Sequence, residues 1–186
     1  MKRRQFLLNS LVAPTAFDFQ PEALPERPLK GIATKDGATR TTGKIVVAEA
    51  PINFKLVSQD TDGDLSVFIS SNNRKGSGPP LHVHQQVDEF FCVLEGEFLF
   101  QVGEEKTVLS PGDTLFVPRK VTHGFDCVSD NPGKLLVTMQ PARQMEEFFR
   151  QLGQVFAKPG PPDVAAIQKI YQTHDSAIVG PSVTPK

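Results

Sequence analysis

Tryptophan is absent from this 186-residue chain, tyrosine occurs once and cysteine only twice. Cys92 and Cys127 are too few for a disulfide scaffold, and their spacing fits no zinc knuckle. They speak neither for nor against export. Charge of one sign is also lacking. With a formal net charge of −1, the chain has no basic excess to suggest nucleic acid and no acidic run to suggest a disordered tail. No apolar run is long enough to span a membrane. Long helical periods are missing from most of the chain, and 16 prolines and 14 glycines stand in their place, which favours a turn-rich β protein. The length suffices for one domain with a core. Fourteen phenylalanines predict that its interior is dry and aromatic.

The N-terminus admits two readings. Lys2, Arg3 and Arg4 precede Phe6, Leu7, Leu8, Leu11 and Val12, followed by Ala13, Pro14 and Ala16. A basic start, an apolar stretch and small residues follow the order of a secretory signal. The paired arginines before Gln5, Phe6 and Leu7 resemble a twin-arginine signal, which would export an already folded protein to the periplasm. Yet the apolar stretch is short, Asn9 and Ser10 interrupt it, and no sharp cleavage site follows. The other reading is an amphipathic segment that packs on the body or on a partner subunit of a cytoplasmic protein. Residues 1–17 carry this segment. Residues 18–43, with Pro21, Pro25 and Pro28, read as an extended arm.

Residues 44–141 have the pattern of a barrel. Segments 44–48, 53–58 and 64–70 are short, rich in β-branched and aromatic residues, and separated by Pro51 and Asp62-Gly63. Further strands are expected at 81–84, 89–94, 97–102, 106–109, 114–117, 123–128 and 134–140. Many short strands at close spacing point to a sandwich or a closed barrel. Residues 142–186 read as helices and a tail. Met145, Phe148, Phe149, Leu152 and Phe156 recur at helical spacing. Asp163 can cap a second helix carrying Val164, Ile167 and Ile170. Residues 180–186 are expected to be a mobile tail. No internal repeat suggests a duplicated barrel.

The chemistry concentrates in a few residues. His82 and His84 are two apart on an expected strand, so both rings project to one side and Val83 to the other. A short connection can return Glu89 to the two rings, and His123 follows on a later strand. Three of the four histidines fall in this set. Three imidazoles and a carboxylate suit one divalent transition metal, whether Fe, Mn, Ni, Co, Cu or Zn, and do not suit Ca or Mg. For the two-histidine pattern taken alone, a surface or core pair is the competing explanation.

The run Gly76-x5-His82-x-His84-x4-Glu89-x6-Gly96 resembles the first motif of the cupin superfamily along its whole length. Gly112-Asp113-Thr114-Leu115-Phe116-Val117-Pro118 with His123 resembles the second. Lys120 and Cys127 depart from it, standing where the family often has glycine and asparagine. The resemblance covers roughly residues 44 to 140. It implies a mainly β fold, the double-stranded β-helix or jelly-roll barrel, here followed by a short C-terminal helical segment. It also implies that His82, His84, Glu89 and His123 hold the metal inside.

Strand parity then assigns the pocket. Glu89, Phe91 and Val93 should face inward with the histidines, as should Phe125 and Cys127, with Phe100 a further candidate. Plain core filling is the competing account of Phe91 and Phe125. Phe90, Cys92 and Leu94 should face outward, against another sheet or a second subunit, so Cys92 and Cys127 should form no disulfide. Asp88 is expected to be a solvated turn residue, Arg119 and Lys120 an exposed polar turn, and His174 a surface residue. The C-terminal pattern resembles small quercetinase-like cupins, which implies a dioxygenase acting on a small aromatic or enol substrate, with Glu89 as its proton acceptor. A non-enzymatic small-ligand-binding cupin and a metal-dependent sugar or keto-acid isomerase are the alternatives. The expected assembly is a homodimer.

Overall fold

The computed structural model describes residues 27–184. The basic N-terminal segment and the first part of the arm lie outside the described residues. Eleven strands and two helices follow in order. Strands β1 (Val46–Val47), β2 (Ala50–Leu56) and β3 (Ser66–Asn73) come first, with a 3-10 turn at Ser58–Thr61 between the last two. Then come β4 (Pro80–His84), β5 (Asp88–Glu95), β6 (Phe98–Val102), β7 (Glu105–Leu109), β8 (Thr114–Val117), β9 (His123–Cys127) and β10 (Gly133–Gln140). Helices α1 (Met145–Phe156) and α2 (Val164–Thr173) and a last strand, β11 (Ser176–Ser182), complete the described residues.

The strands form two antiparallel sheets, in the orders β1-β2-β3-β10-β5-β8 and β11-β4-β9-β6-β7. From β4 onward the chain passes repeatedly from one sheet to the other, which is the winding of a double-stranded β-helix. The fold is mainly β, with its helices near the C-terminus, as the sequence predicts. Residues β4, β5 and β9 place near one another therefore belong to opposite walls of one interior.

Alternation along each strand decides what fills that interior. On β10, Leu135, Val137 and Met139 are buried, while Leu136 and Thr138 face outward. On β5, Glu89, Phe91 and Val93 are buried, while Phe90 and Leu94 are each 37% exposed. Nothing in the described chain covers those two, and Cys92 between them is half-buried. Cys92 and Cys127 are both free.

Two turns depend on backbone freedom. Gly96 joins β5 to β6 with φ +78°, and a Cβ there would come within 2.9 Å of the Gly133 Cα. Lys120 adopts φ +69°, so the position where the family often has glycine keeps the left-handed conformation with a side chain in place.

The C-terminal region differs from expectation in three respects. Residues 176–182, including Gly180 and Pro181 of the supposed tail, pair with β4 as an edge strand, where proline is tolerated. The second helix buries Ile170 and Tyr171, whereas Val164 is 64% exposed. His174 is buried, its ring packed on Phe148. Asp163 does cap α2, its Oδ1 accepting from the Ala166 N–H at 3.1 Å. On α1, Met145, Phe148, Leu152 and Val155 are buried, and Phe149 packs edge-on against Phe54 and Phe68. Among the described residues, no helix is long and apolar enough to cross a membrane.

Candidate metal centre

His82 and His84 project from β4, and His123, the first residue of β9, pairs with His82 across the second sheet. Glu89 comes from β5 on the opposite sheet, between Val117 and Met139. The four side chains meet in the interior, with one ligand atom from each lying within 4.8 Å of all the others. All four are buried. The His123 Nε2 is 2.8 Å from the Glu89 Oε2, and the His84 Nε2 is 3.5 Å from the Glu89 Oε1.

The outward ring nitrogens fix the inward ones. The His82 Nδ1 lies 2.8 Å from the Pro80 carbonyl and the His123 Nδ1 lies 3.0 Å from the Val121 carbonyl. A carbonyl only accepts, so both Nδ1 atoms carry the proton. The His84 Nδ1 lies 2.7 Å from the Ser176 hydroxyl, which itself donates to the His174 carbonyl at 3.1 Å and so accepts from His84. The Nε2 of each ring is thereby left for the interior, where that of His123 meets the Glu89 Oε2 in a hydrogen bond. The His84 Nε2 is buried without a hydrogen-bond partner among the described residues. Three inward ring nitrogens around one carboxylate, with the His84 Nε2 left unpaired, make a donor set that fits a divalent transition metal.

The electrostatics agree. Burial, reinforced by the neighbouring His123 and His84, pushes His82 down to about 3. Burial works to raise Glu89, but His84 and His123 outweigh it and hold the carboxyl well below its ordinary range. Burial likewise works to lower His123, while the Glu89 charge and hydrogen bond prevail and raise it.

Three of the four, His82, His84 and Glu89, form part of the wall of a cavity of about 530 Å³ between the barrel and the two helices. Phe91 and Phe125 line it, along with Met139, Phe148 and Ile167. Val93, Phe100 and Cys127 also point inward but do not reach the wall. They are buried farther along the barrel, where Phe100 stacks behind Phe91 at 5.2 Å and Phe125 at 5.5 Å between ring centroids. Parity gives the side of a strand and not the depth along it.

Several site residues escaped the sequence reading. Tyr171 of α2 lines the cavity, its ring 5.5 Å from His82 and nearly perpendicular to it. Burial, aided by Glu89, pushes its phenol pKa up. Its signal was faint: the single tyrosine, four residues beyond Ile167. Asp126 is buried and accepts from the Gly76 N–H at 2.8 Å and the Gly78 N–H at 3.1 Å, fixing the loop before β4. Asp88 is held rather than loose. It accepts from the Arg119 backbone N–H at 2.7 Å and Nε at 3.0 Å, and this contact keeps its carboxyl below the ordinary value.

Residues 73–139 match the family model described as the cupin domain. The chain belongs to the cupin superfamily. It is similar to an uncharacterized protein of Methanocaldococcus jannaschii, 32% identical over 72 residues that make up 39% of this chain and 58% of that one. It is also similar to the quercetin 2,3-dioxygenase of Bacillus subtilis, 30% identical over 78 residues, covering 42% of this chain and 23% of the enzyme. The chain thus spans less than two thirds of either relative. Among solved structures, an RmlC-like cupin from Shewanella frigidimarina superposes with a TM-score of 0.49 at 23% identity, over 60% of this chain and 96% of that one.

Proposed function

We propose that the protein is a metal-dependent dioxygenase acting on a small aromatic or enol substrate. The observation that carries this reading is a three-histidine, one-glutamate cluster of which His82, His84 and Glu89 line a roughly 530 Å³ cavity whose other lining is largely apolar. The partial similarity to a protein named quercetin 2,3-dioxygenase supports it.

In this reading His82, His84, Glu89 and His123 hold one divalent transition metal. When bound, that ion supplies Lewis acidity toward a substrate hydroxyl and, where it is redox-active, a route for electrons to dioxygen. The chain's own residues do the rest. Glu89, ionised at neutral pH, takes the proton from the substrate hydroxyl. Pro80, Val121 and Ser176 hold the three rings by their Nδ1 atoms and leave each Nε2 for the interior. Phe91, Phe125 and Phe148 exclude water and hold a flat ring between aromatic faces. A homodimer formed through the outer face of the first sheet belongs to the same reading, because Phe90 lies opposite Phe116, 58% exposed, in the β5–β8 pairing.

Oxygen uptake by purified, metal-loaded protein tests the enzyme. Consumption is expected with a flavonol, a catechol or a 1,3-diketone, and it should stop when the metal is chelated. Metal-loaded protein that consumes no oxygen with any of the three classes contradicts the dioxygenase and leaves a ligand-binding cupin.

A further inference from the structure

Tyr171 is 4% exposed and lines the cavity; its hydroxyl makes no hydrogen bond to the described residues and is not one of the sealed, partnerless atoms, so it opens onto the cavity. Its ring is fixed on two sides, against His82 and against Phe148, with ring centroids 5.5 and 5.0 Å away. A buried phenol normally finds a partner, because leaving its O–H unpaired forfeits the hydrogen bond it had with water. Apart from the amide of Gln168, the other hydroxyls and amides of the wall are already engaged. The Ser70 hydroxyl donates to the Asn73 Oδ1, and the Asn73 amide to the Ser70 and Gly133 carbonyls. Ser77 donates to the Arg74 carbonyl and Ser182 to the Gly78 carbonyl. Gln168 is exposed, one turn before Tyr171 on α2.

Charge is distributed just as unevenly. The described cavity wall includes Glu89 as its one carboxylate and contains neither lysine nor arginine. A carboxylate or phosphate on a ligand would be desolvated there with no cationic side chain to meet it.

We propose that Tyr171 is the ligand-orienting hydrogen-bond donor of this cavity, giving its O–H to an oxygen of an uncharged enol or phenol, and that ligands bearing a carboxylate or phosphate are disfavoured. This rests on the metal-centred reading of the site and adds a specificity residue to it. Tyr171 and His82 are neighbours on the cavity wall, so a flat ligand that reaches the histidine cluster would also come within reach of the phenol.

Titration calorimetry under argon separates this proposal from the dioxygenase, because it reads binding without turnover. Metal-loaded wild type and Tyr171→Phe are titrated with 4-methylcatechol and with 3,4-dihydroxybenzoate, which differ chiefly in charge. The wild type should bind 4-methylcatechol at least about tenfold more tightly than the benzoate. Tyr171→Phe, which keeps the ring contacts, should retain its metal and its melting temperature while binding 4-methylcatechol about three- to tenfold more weakly. Undiminished binding by Tyr171→Phe overturns the proposal, as does equal affinity of the wild type for both ligands, or binding of neither. Loss of metal from Tyr171→Phe also overturns it, by assigning the residue to the integrity of the site. Failure of oxygen uptake with a ligand that binds in this way counts against the dioxygenase alone.

Discussion

Ser176 accepts a 2.7 Å hydrogen bond from the His84 Nδ1 while donating to the His174 carbonyl. The last strand of the chain, reached only after both helices, thereby sets the tautomer of a histidine 92 residues earlier. An outer partner of this kind raises a ligand's affinity by fixing its ring and its lone pair. Ser176→Ala should weaken metal binding about 10- to 100-fold with little change in the folded barrel. Competition with a chromophoric chelator measures it, and unchanged affinity would show that His84 needs no such support.

The metal-free protein should lose stability in acid. His82 is pushed from its ordinary value of 6.5 down to about 3, so between these values the unfolded chain binds the extra proton. Stability from this group is therefore full above about pH 6.5 and falls as pH drops toward 3. Glu89, also lowered, adds to the loss at the acid end. His123 is raised and acts oppositely, its contribution being present below its ordinary value and lost as pH rises through the folded one. Melting temperatures of chelator-treated protein should thus decline on the acid side, and His82→Gln should flatten that decline. A melting temperature that rises from pH 6 to pH 4 in the wild type would contradict the buried, neutral His82.

Asp126 ties the loop before β4 to the barrel through Gly76 and Gly78, and Gly78 itself sits so close that a Cβ would lie 1.8 Å from the Phe125 carbonyl oxygen. Asp126→Ala leaves two loop N–H groups without their acceptor and should cost about 1–3 kcal/mol, read by urea unfolding. Gly78→Ala should do more damage, because its clash is with backbone and no side chain can swing aside.

If the outer face of the first sheet joins two copies, Phe116→Glu should give monomers of normal secondary structure, since this side chain supports no part of the barrel's own core. Sedimentation velocity distinguishes the outcomes, and a wild type that sediments as a monomer removes the dimer.

Much of the barrel and the inward direction of the candidate ligands was legible because both depend on short-range rules. Alternation alone turns His82 and His84 to one side, and Phe91 and Val93 to the same side as Glu89. What lay beyond those rules was missed. Strand β11 carries Gly180 and Pro181, which read as punctuation, and it becomes a strand because β4 offers it an edge. Asp126 falls on the outward side by parity, yet the 74–79 loop folds over it. His174 and Tyr171 are buried by the meeting of α1 and α2, through Phe148, a contact no local pattern specifies. Val93, Phe100 and Cys127 are buried on the inward side of their strands, away from the cavity wall, because alternation sets direction and not depth.

Elemental analysis of purified wild type beside His84→Ala tests the centre itself most directly. Stoichiometric transition metal in the wild type, lost in the variant while its circular dichroism is retained, is the predicted result. Equal metal in both proteins, or none in the wild type after reconstitution with cobalt, nickel, manganese, iron, copper and zinc in turn, would contradict the proposed centre.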